Sequence, residues 1–400
     1  MRAAESSRRV LLAAVAALTA AIPGCGDRRT FEIGADGRRH YRSYGANGEV
    51  TDANGRVNIY AATGANALSP VAATARPLVY VPNSRSASVS VIDPRTYTVV
   101  RTFHTGSVPQ HVVPSYDLTT LFVLNNKSGT VTPIDPATGR ESSPIDVDDP
   151  YNLYFTPDGE YAVVVAEANR RLDFRDPRTL KFIESVSTEC RGIDHVEFTA
   201  DGRTMIATCE FDGRLLALDL RSRATRYLAL DTLTGAGGAM PQDIRSSPDG
   251  SLFFVADMEA GGLRVIDPVA LQEVGFIPTG TGTHGIYPSR DGKLLYVTNR
   301  GWRTLNAGPH GPGSVSVVDP VARRVVATWP VPGGGSPDMG NVTADGKELW
   351  VSGRYDGVVY VFDTATGTLT HTIPVGREPH GLCVWPQPGR FSLGHTGNMR

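Results

Sequence analysis

The 400-residue chain carries no surplus of positive charge: 39 Lys and Arg stand against 41 Asp and Glu, a formal net charge of −2. Without a basic excess a protein cannot neutralise a phosphate backbone at many points, so nucleic acid is excluded as an expected partner. Cysteine is scarce, at 4 residues, too few for a disulfide framework. Beyond the first 25 residues no apolar run reaches about 18 positions, so no membrane-spanning helix is expected. Local signatures of familiar chemistry are missing as well: there is no Cys-x-x-Cys-His, no Gly-x-Ser-x-Gly elbow, no His-Glu-x-x-His pair and no phosphate loop. What remains open is a site assembled from residues far apart in sequence.

Glycine and proline, by contrast, are plentiful: 43 and 28 residues, spaced along the whole chain in the manner of short strands joined by tight turns. Hydrophobic residues make up 40%, enough for a sizeable core. The start is different in kind. MRAAESSRR is basic, Val10 to Ile22 is apolar, and Ile22-Pro23-Gly24-Cys25 follows. This resembles a bacterial lipoprotein signal, in which Cys25 receives lipid and becomes the mature N-terminus; an ordinary cleaved secretory signal is the alternative. Ser7-Arg8-Arg9 before Val-Leu-Leu is also similar to a twin-arginine signal, so the export route stays open. Either way the protein is expected outside the cytoplasm, meeting the membrane only through its lipid. Residues 25–75 read as a flexible tether, with Val57 to Ala61 (VNIYA) as an extra strand.

From about residue 76 the chain repeats itself. LLYVTNRG (294–301) has weaker copies at PLVYVPNS (77–84), LFVLNNKSG (121–129), AVVVAEANR (162–170), MIATCEFDG (205–213), LFFVADMEAGG (252–262) and LWVSGRYDG (349–357). A second motif, a run of small or apolar residues ending in Asp, places Asp93, Asp135, Asp176, Asp219, Asp267, Asp319 and Asp363 at intervals of 42, 41, 43, 48, 52 and 44 residues. These are blade-length repeats. Each Asp is expected to accept backbone N–H bonds in a turn rather than to do chemistry. Every unit reads as three strands plus a short fourth, such as Pro337 to Val342, and period-two alternation supports an antiparallel sheet. One small sheet cannot bury both faces, whereas seven packed around an axis can. The repeats start without a fourth-type strand but end with a spare one, PHGLCVWP (379–386), which should pair into the first unit and close the ring. The predicted fold is all-β, a seven-bladed propeller over residues 76–390 with a tail at 391–400.

LLYVTNRG, GSVSVVDP, RRVVATWPVPGG and IPVGREPHGL resemble the YVTN-repeat β-propellers of the YncE-like extracytoplasmic type, over about residues 76 to 390. The resemblance implies the fold far more than a function, since propellers serve as scaffolds and as enzymes. Seven-bladed lactonases and the haem d1 domain of cytochrome cd1 nitrite reductase share the repeat style; the latter has eight blades, against seven here.

If the fourth-type strands are innermost, one face of the disc gathers the links leading into them and the loops after each YVTN-like strand. The insertions DTLTGAGGAM (231–240) and GWRTLNAGPHGPG (301–313), with His310, fall on that face. At the channel mouth the aligned residues are Gln110-His111, Tyr151-Asn152, Asp194-His195, Gln242-Asp243, His284-Gly285, Asp338-Met339 and His380-Gly381, with Glu167, Glu210, Asp257, Asn299, Arg300 and Arg354 nearby. Such a set suits a polar ligand, a transition metal or a haem, with His111, His195, His284 and His380 as candidate ligands. Strict pleat alternation puts His111 and His195 on the opposite face from His284 and His380, which predicts against one four-histidine ring. Cys190 and Cys209 are expected to pair as a disulfide, the alternative being a thiolate metal site with His195. Cys383 reads as a small buried apolar residue. The leading functional expectation is a monomeric, non-catalytic binding protein for a small molecule or an envelope partner, with no cofactor required. The alternatives are a metal- or haem-binding redox protein, and a lactonase-like hydrolase using Glu210 with Arg300 or Arg354.

Overall fold

A computed structural model describes residues 31–33, 39–41, 57–230 and 238–400. The expected signal and Cys25 lie outside the described residues, as do positions 231–237 of the first insertion. The chain divides into two units, Met1–Tyr41 and Arg42–Arg400. In the first, Phe31–Ile33 pairs antiparallel with Arg39–Tyr41. The second contains seven antiparallel sheets arranged as a propeller.

Each blade runs outward from an innermost fourth-type strand. The innermost strands are Pro109–Pro114, Pro150–Phe155, Ile193–Phe198, Pro241–Ser246, Thr283–Pro288, Pro337–Val342 and Cys383–Trp385. The YVTN-like segments form the next strands, every residue of Leu295–Asn299 and Phe253–Asp257 being buried. A strand buried on both faces needs unbroken apolar character, and this is why these copies lack a clean alternation. One outer position is split into Arg140–Glu141 and Ile145–Asp146. The break falls at Ser142-Ser143-Pro144, where proline removes a ladder donor.

Closure is made by the last strand: Cys383–Trp385 pairs with Leu78–Asn83 in the register Leu78↔Trp385, Val79↔Val384 and Tyr80↔Cys383. The hydrophobic core lies between blades, so that Tyr154, Val163 and Phe174 of one sheet pack with Val196, Met205 and Leu216 of the next. All seven motif aspartates accept the backbone N–H of the residue two positions on, and most also that of the residue three positions on, for example Asp219 from Arg221 and Ser222 at 3.1 and 2.7 Å. Their role is to set the turn.

Two expectations need correction. Val57 to Ala61 is not a strand: Val57 makes a single β-bridge and Ile59 to Ala61 form a turn, where the Asn58 side chain accepts the Tyr60 N–H at 3.0 Å. Residues 57–75 are also no free tether: the Ile59 N–H donates to the Pro248 carbonyl at 2.8 Å, and Ile59 and Ala72 are buried. The tail, finally, does more than lie on the body. Leu393, His395, Thr396 and Met399 are buried, and Ser392 pairs with Met399 across a small hairpin.

Candidate functional site around the propeller axis

The innermost strands share one irregularity. From Pro109↔Asn125 to Val112↔Val123, three steps on the inner strand face two on its partner, and the same single extra residue recurs at Pro150/Asn152, Ile193/Val196, Pro241/Ile244, Thr283/Ile286 and Pro337/Gly340. A bulge bends a strand and re-aims its side chains. It occurs at the channel mouth, where each pair of aligned residues stands.

At these bulges the strict pleat alternation is broken. His111, His195, His284 and His380 do form a ring, with centroid separations of 5.7 Å (111–195), 6.3 Å (195–284), 5.8 Å (284–380) and 4.9 Å (380–111). A fifth imidazole joins them: His395 lies 4.6 Å from His195 and 5.3 Å from His111. No repeat alignment could place it, since it comes from the tail; its only sequence signal was a histidine between glycines in GHTG. All five are buried. Burial, aided by the neighbouring imidazoles and arginines, holds all of them below the usual histidine range, His380 at about 4, so the ring is neutral at pH 7.

The five divide by their partners. His284 and His380 are engaged around Asp338. The Arg300 Nε donates to Asp338 at 2.5 Å, and its Nη2 donates to His284 Nε2 at 2.6 Å. His380 Nδ1 lies 2.5 Å and His284 Nδ1 3.2 Å from the same carboxylate, with Arg354 at 3.6 Å. Burial alone would raise Asp338, but Arg300 and the two histidines hold it well below the carboxylate range. This half of the mouth is a closed ion network.

His111, His195 and His395 make up the other group. One ring nitrogen from each lies within 4.8 Å of the other two, and the Nε2 atoms of all three are buried without a hydrogen-bond partner. His111 Nδ1 faces the Tyr151 carbonyl at 3.0 Å. A carbonyl only accepts, so this nitrogen carries the proton and Nε2 presents a lone pair. Asn152 faces the other two, its Nδ2 lying 3.3 Å from His195 Nδ1 and 3.1 Å from His395 Nδ1, while its Oδ1 accepts the Leu153 N–H at 2.9 Å. An ion held through the three Nε2 atoms requires protons on those Nδ1 atoms, hence a turn of the Asn152 amide that presents Oδ1 to them. Asp194 Oδ1 lies 3.2 Å from His195 Nε2, without hydrogen-bond alignment.

Carboxyl groups with raised pKa values stand toward the loop face. Burial and Glu210 push Asp194 well up; burial raises Glu210 despite its bond from Gln242 Nε2 at 3.0 Å; burial, Glu210 and Asp149 bring Glu167 to about 7. Tyr151, partly buried beside Asp194, is pushed above its ordinary range. Of the groups expected of a hydrolase, Glu210 is bonded to Gln242, Arg300 to Asp338, and Arg354 lies 2.7 Å from His380 Nδ1.

Other candidates belong to blade structure. Asn299 donates to Ser314 and Ser316 at 3.2 and 3.0 Å, as Asn83 does to Ser88 and Ser90 and Asn125 to Thr130 and Thr132. Asp257 is paired with Arg264 at 2.6 Å, and Asp243 with Arg245 and the Ile286 N–H. Gln110 lies 3.4 Å from Ser84 Oγ at the mouth. His310 is exposed in its insertion, where its backbone N–H meets Asp356 at 2.6 Å. Cys190 and Cys209 are bonded to each other, Cα atoms 5.3 Å apart, beside the Ile193↔Cys209 pair; Cys383 is buried and free.

The profile of a family described as YNCE-like beta-propeller matches residues 55–388. No match was found among curated proteins. Among solved structures the chain is similar to Kuenenia stuttgartiensis hydrazine synthase (21% identity, TM-score 0.58, 73% of this chain and 94% of that one). It is similar also to a candidate 6-phosphogluconolactonase from Bacteroides uniformis (18%, TM-score 0.60, 76% and 98%). A third is the dihydro-haem d1 dehydrogenase NirN in complex with DHE (15%, TM-score 0.53, 79% and 76%). At these identities the likeness is one of fold.

Proposed function

The chain belongs to the YNCE-like beta-propeller family, and from that premise we propose that it is an extracytoplasmic binding protein whose ligand is a single transition-metal ion on the propeller axis. The observation that carries this reading is the convergence of His111, His195 and His395 within 4.8 Å, with three buried Nε2 atoms lacking partners. Buried polar atoms in folded proteins are nearly always satisfied, and three unpartnered Nε2 atoms on rings that each bring a nitrogen within 4.8 Å of the others call for a partner. Neutral imidazoles without thiolate suit Zn, Cu, Ni or Fe, whereas Mg and Ca prefer oxygen. One ion fits this group better than a haem, because rings 4.6 to 5.7 Å apart leave no slot for a macrocycle between them. Asp194 would lie just outside the ligand set and orient a water or balance charge.

The reading differs from an open ligand pocket because the mouth residues are buried, with His284, Arg300 and Asp338 committed to one another. Attachment of the protein to a membrane through lipid on Cys25 belongs to the same proposal and rests on the N-terminal motif. The test is metal analysis and an absorption spectrum of the full-length protein purified from a cell envelope. About one ion per chain, lost in His111→Ala and His195→Ala, is the expected result; a metal-free protein that takes up neither Zn2+ nor Cu2+ overturns it. A Cys25→Ser protein should leave the membrane fraction, and one that stays there with unchanged mobility refutes the anchor.

A further inference from the structure

Resting on that reading, we propose that the C-terminal segment 391–400 is a ligand-carrying plug: its hairpin delivers His395 to the ion, so that metal occupancy and seating of the tail are coupled. The segment is built for insertion. The Leu153 carbonyl accepts the His395 N–H at 2.9 Å, the Leu393 carbonyl accepts the Phe155 N–H at 3.0 Å, and the Leu393 N–H donates to Asn398 at 2.8 Å. These bonds hold the hairpin against the inner strand Pro150–Phe155, which also carries Asn152. At the base, Arg400 pairs with the buried Glu197 at 2.7 Å and Asn398 reaches it at 3.3 Å; Gln387 donates to the Thr396 carbonyl at 3.0 Å.

His395 has φ +51°, in the left-handed region, where histidine is among the enriched non-glycine residues. Beside it, Gly394 has φ +100°, and a Cβ on it would collide with the Leu153 carbonyl and the Tyr154 Cα. The glycine thus permits the close approach that brings His395 to His195 and His111.

The ring of blades closes independently of this hairpin, through Cys383–Trp385. Seating of the tail is therefore a separate equilibrium from closure, and linkage makes it respond to anything that binds only the seated form. An ion at 100 times its dissociation constant should suppress tail opening about 100-fold.

The experiment is amide hydrogen exchange on the full-length protein with and without Zn2+, together with Zn2+ titration of His111→Ala and His395→Asn. Asparagine tolerates the left-handed backbone and so preserves the hairpin. The proposal expects Zn2+ to slow exchange at Leu393, His395 and Asn398 by about 100-fold at 100 times the dissociation constant. It also expects His395→Asn to weaken Zn2+ binding by on the order of 100-fold or more and to abolish the protection, since loss of even a supporting residue costs 10–100-fold. Should wild type bind Zn2+ in a His111-dependent way while tail exchange stays unchanged and His395→Asn binds normally, the plug is overturned and the metal reading stands. Wild type that binds no Zn2+ overturns both. If His395→Asn does not fold, exchange in the wild type decides alone.

Discussion

The imidazole of His395 meets the side-chain amide of Asn152 at 3.1 Å across 243 positions of chain. Asn152 also touches His195, at 3.3 Å, so one amide orients two imidazoles from different parts of the fold. That contact ties the tail, the second inner strand and the third into one axial site.

Closure by the last strand makes Trp385 a structural keystone. It is buried opposite Leu78, packed in the cluster that also holds Tyr80 and Phe103. Trp385→Ala should cost about 3–5 kcal/mol in denaturant unfolding. Deletion from Pro379 onward should leave an unpaired strand edge and an aggregating product; a soluble truncation that unfolds cooperatively would place closure elsewhere.

The bond between Cys190 and Cys209 spans 19 positions and should stabilise the fold by about 3 kcal/mol in the chain-entropy picture. Peptide mapping without reduction should recover one crosslinked pair. Two free thiols would refute the bond, and thiols found with stoichiometric metal would restore the thiolate site.

Asp338 is the only carboxylate shared by Arg300, His284 and His380 among the described contacts. Asp338→Ala strands the buried Arg300 charge, and removing one partner of a buried ion pair costs about 3–5 kcal/mol. Asp338→Asn, which keeps an acceptor, should cost less. Equal losses in chemical denaturation would show that the charge is immaterial.

Glu167 offers a pH test. Its folded pKa, about 7, lies above the ordinary 4.5. A carboxyl raised in the folded state contributes stability that is fully present below about 4.5 and lost as pH rises through about 7. Glu167→Gln should therefore gain on the wild type in melting temperature between pH 5 and 8, by roughly 3–5 °C at the alkaline end. A difference that does not vary with pH, measured by calorimetry, would contradict the assignment. The buried histidines act in the opposite sense, losing stability as pH falls through about 6.5, so only the wild-type-minus-variant difference isolates Glu167.

Blade number, strand order and closure were written into local chemistry. Runs such as LLYVTN are strands because buried β-branched and aromatic residues fit a pleated sheet; the Asp after each following strand makes its turn within three residues; and the count of inner strands against repeats demands that the last one return to the first. Such features depend on neighbours in sequence, so a pattern can carry them. The axial site depends on what a pattern cannot carry. One extra residue in each inner strand breaks the alternation that would have separated His111 and His195 from His284 and His380. No periodicity specifies where a nonrepeating tail will go, and only the packed channel brings His395 to it. Which polar residues are spent on structure was equally hidden: Asn299 and Asp257 look like site residues in the sequence, yet the adjacent strand takes up Asn299 through Ser314 and Ser316 and Asp257 through Arg264. The sequence determined a ring of blades through local hydrogen bonding and hydrophobic pattern. Tertiary structure alone decided which imidazoles converge on its axis, because that convergence is a property of bulges and of long-range contact.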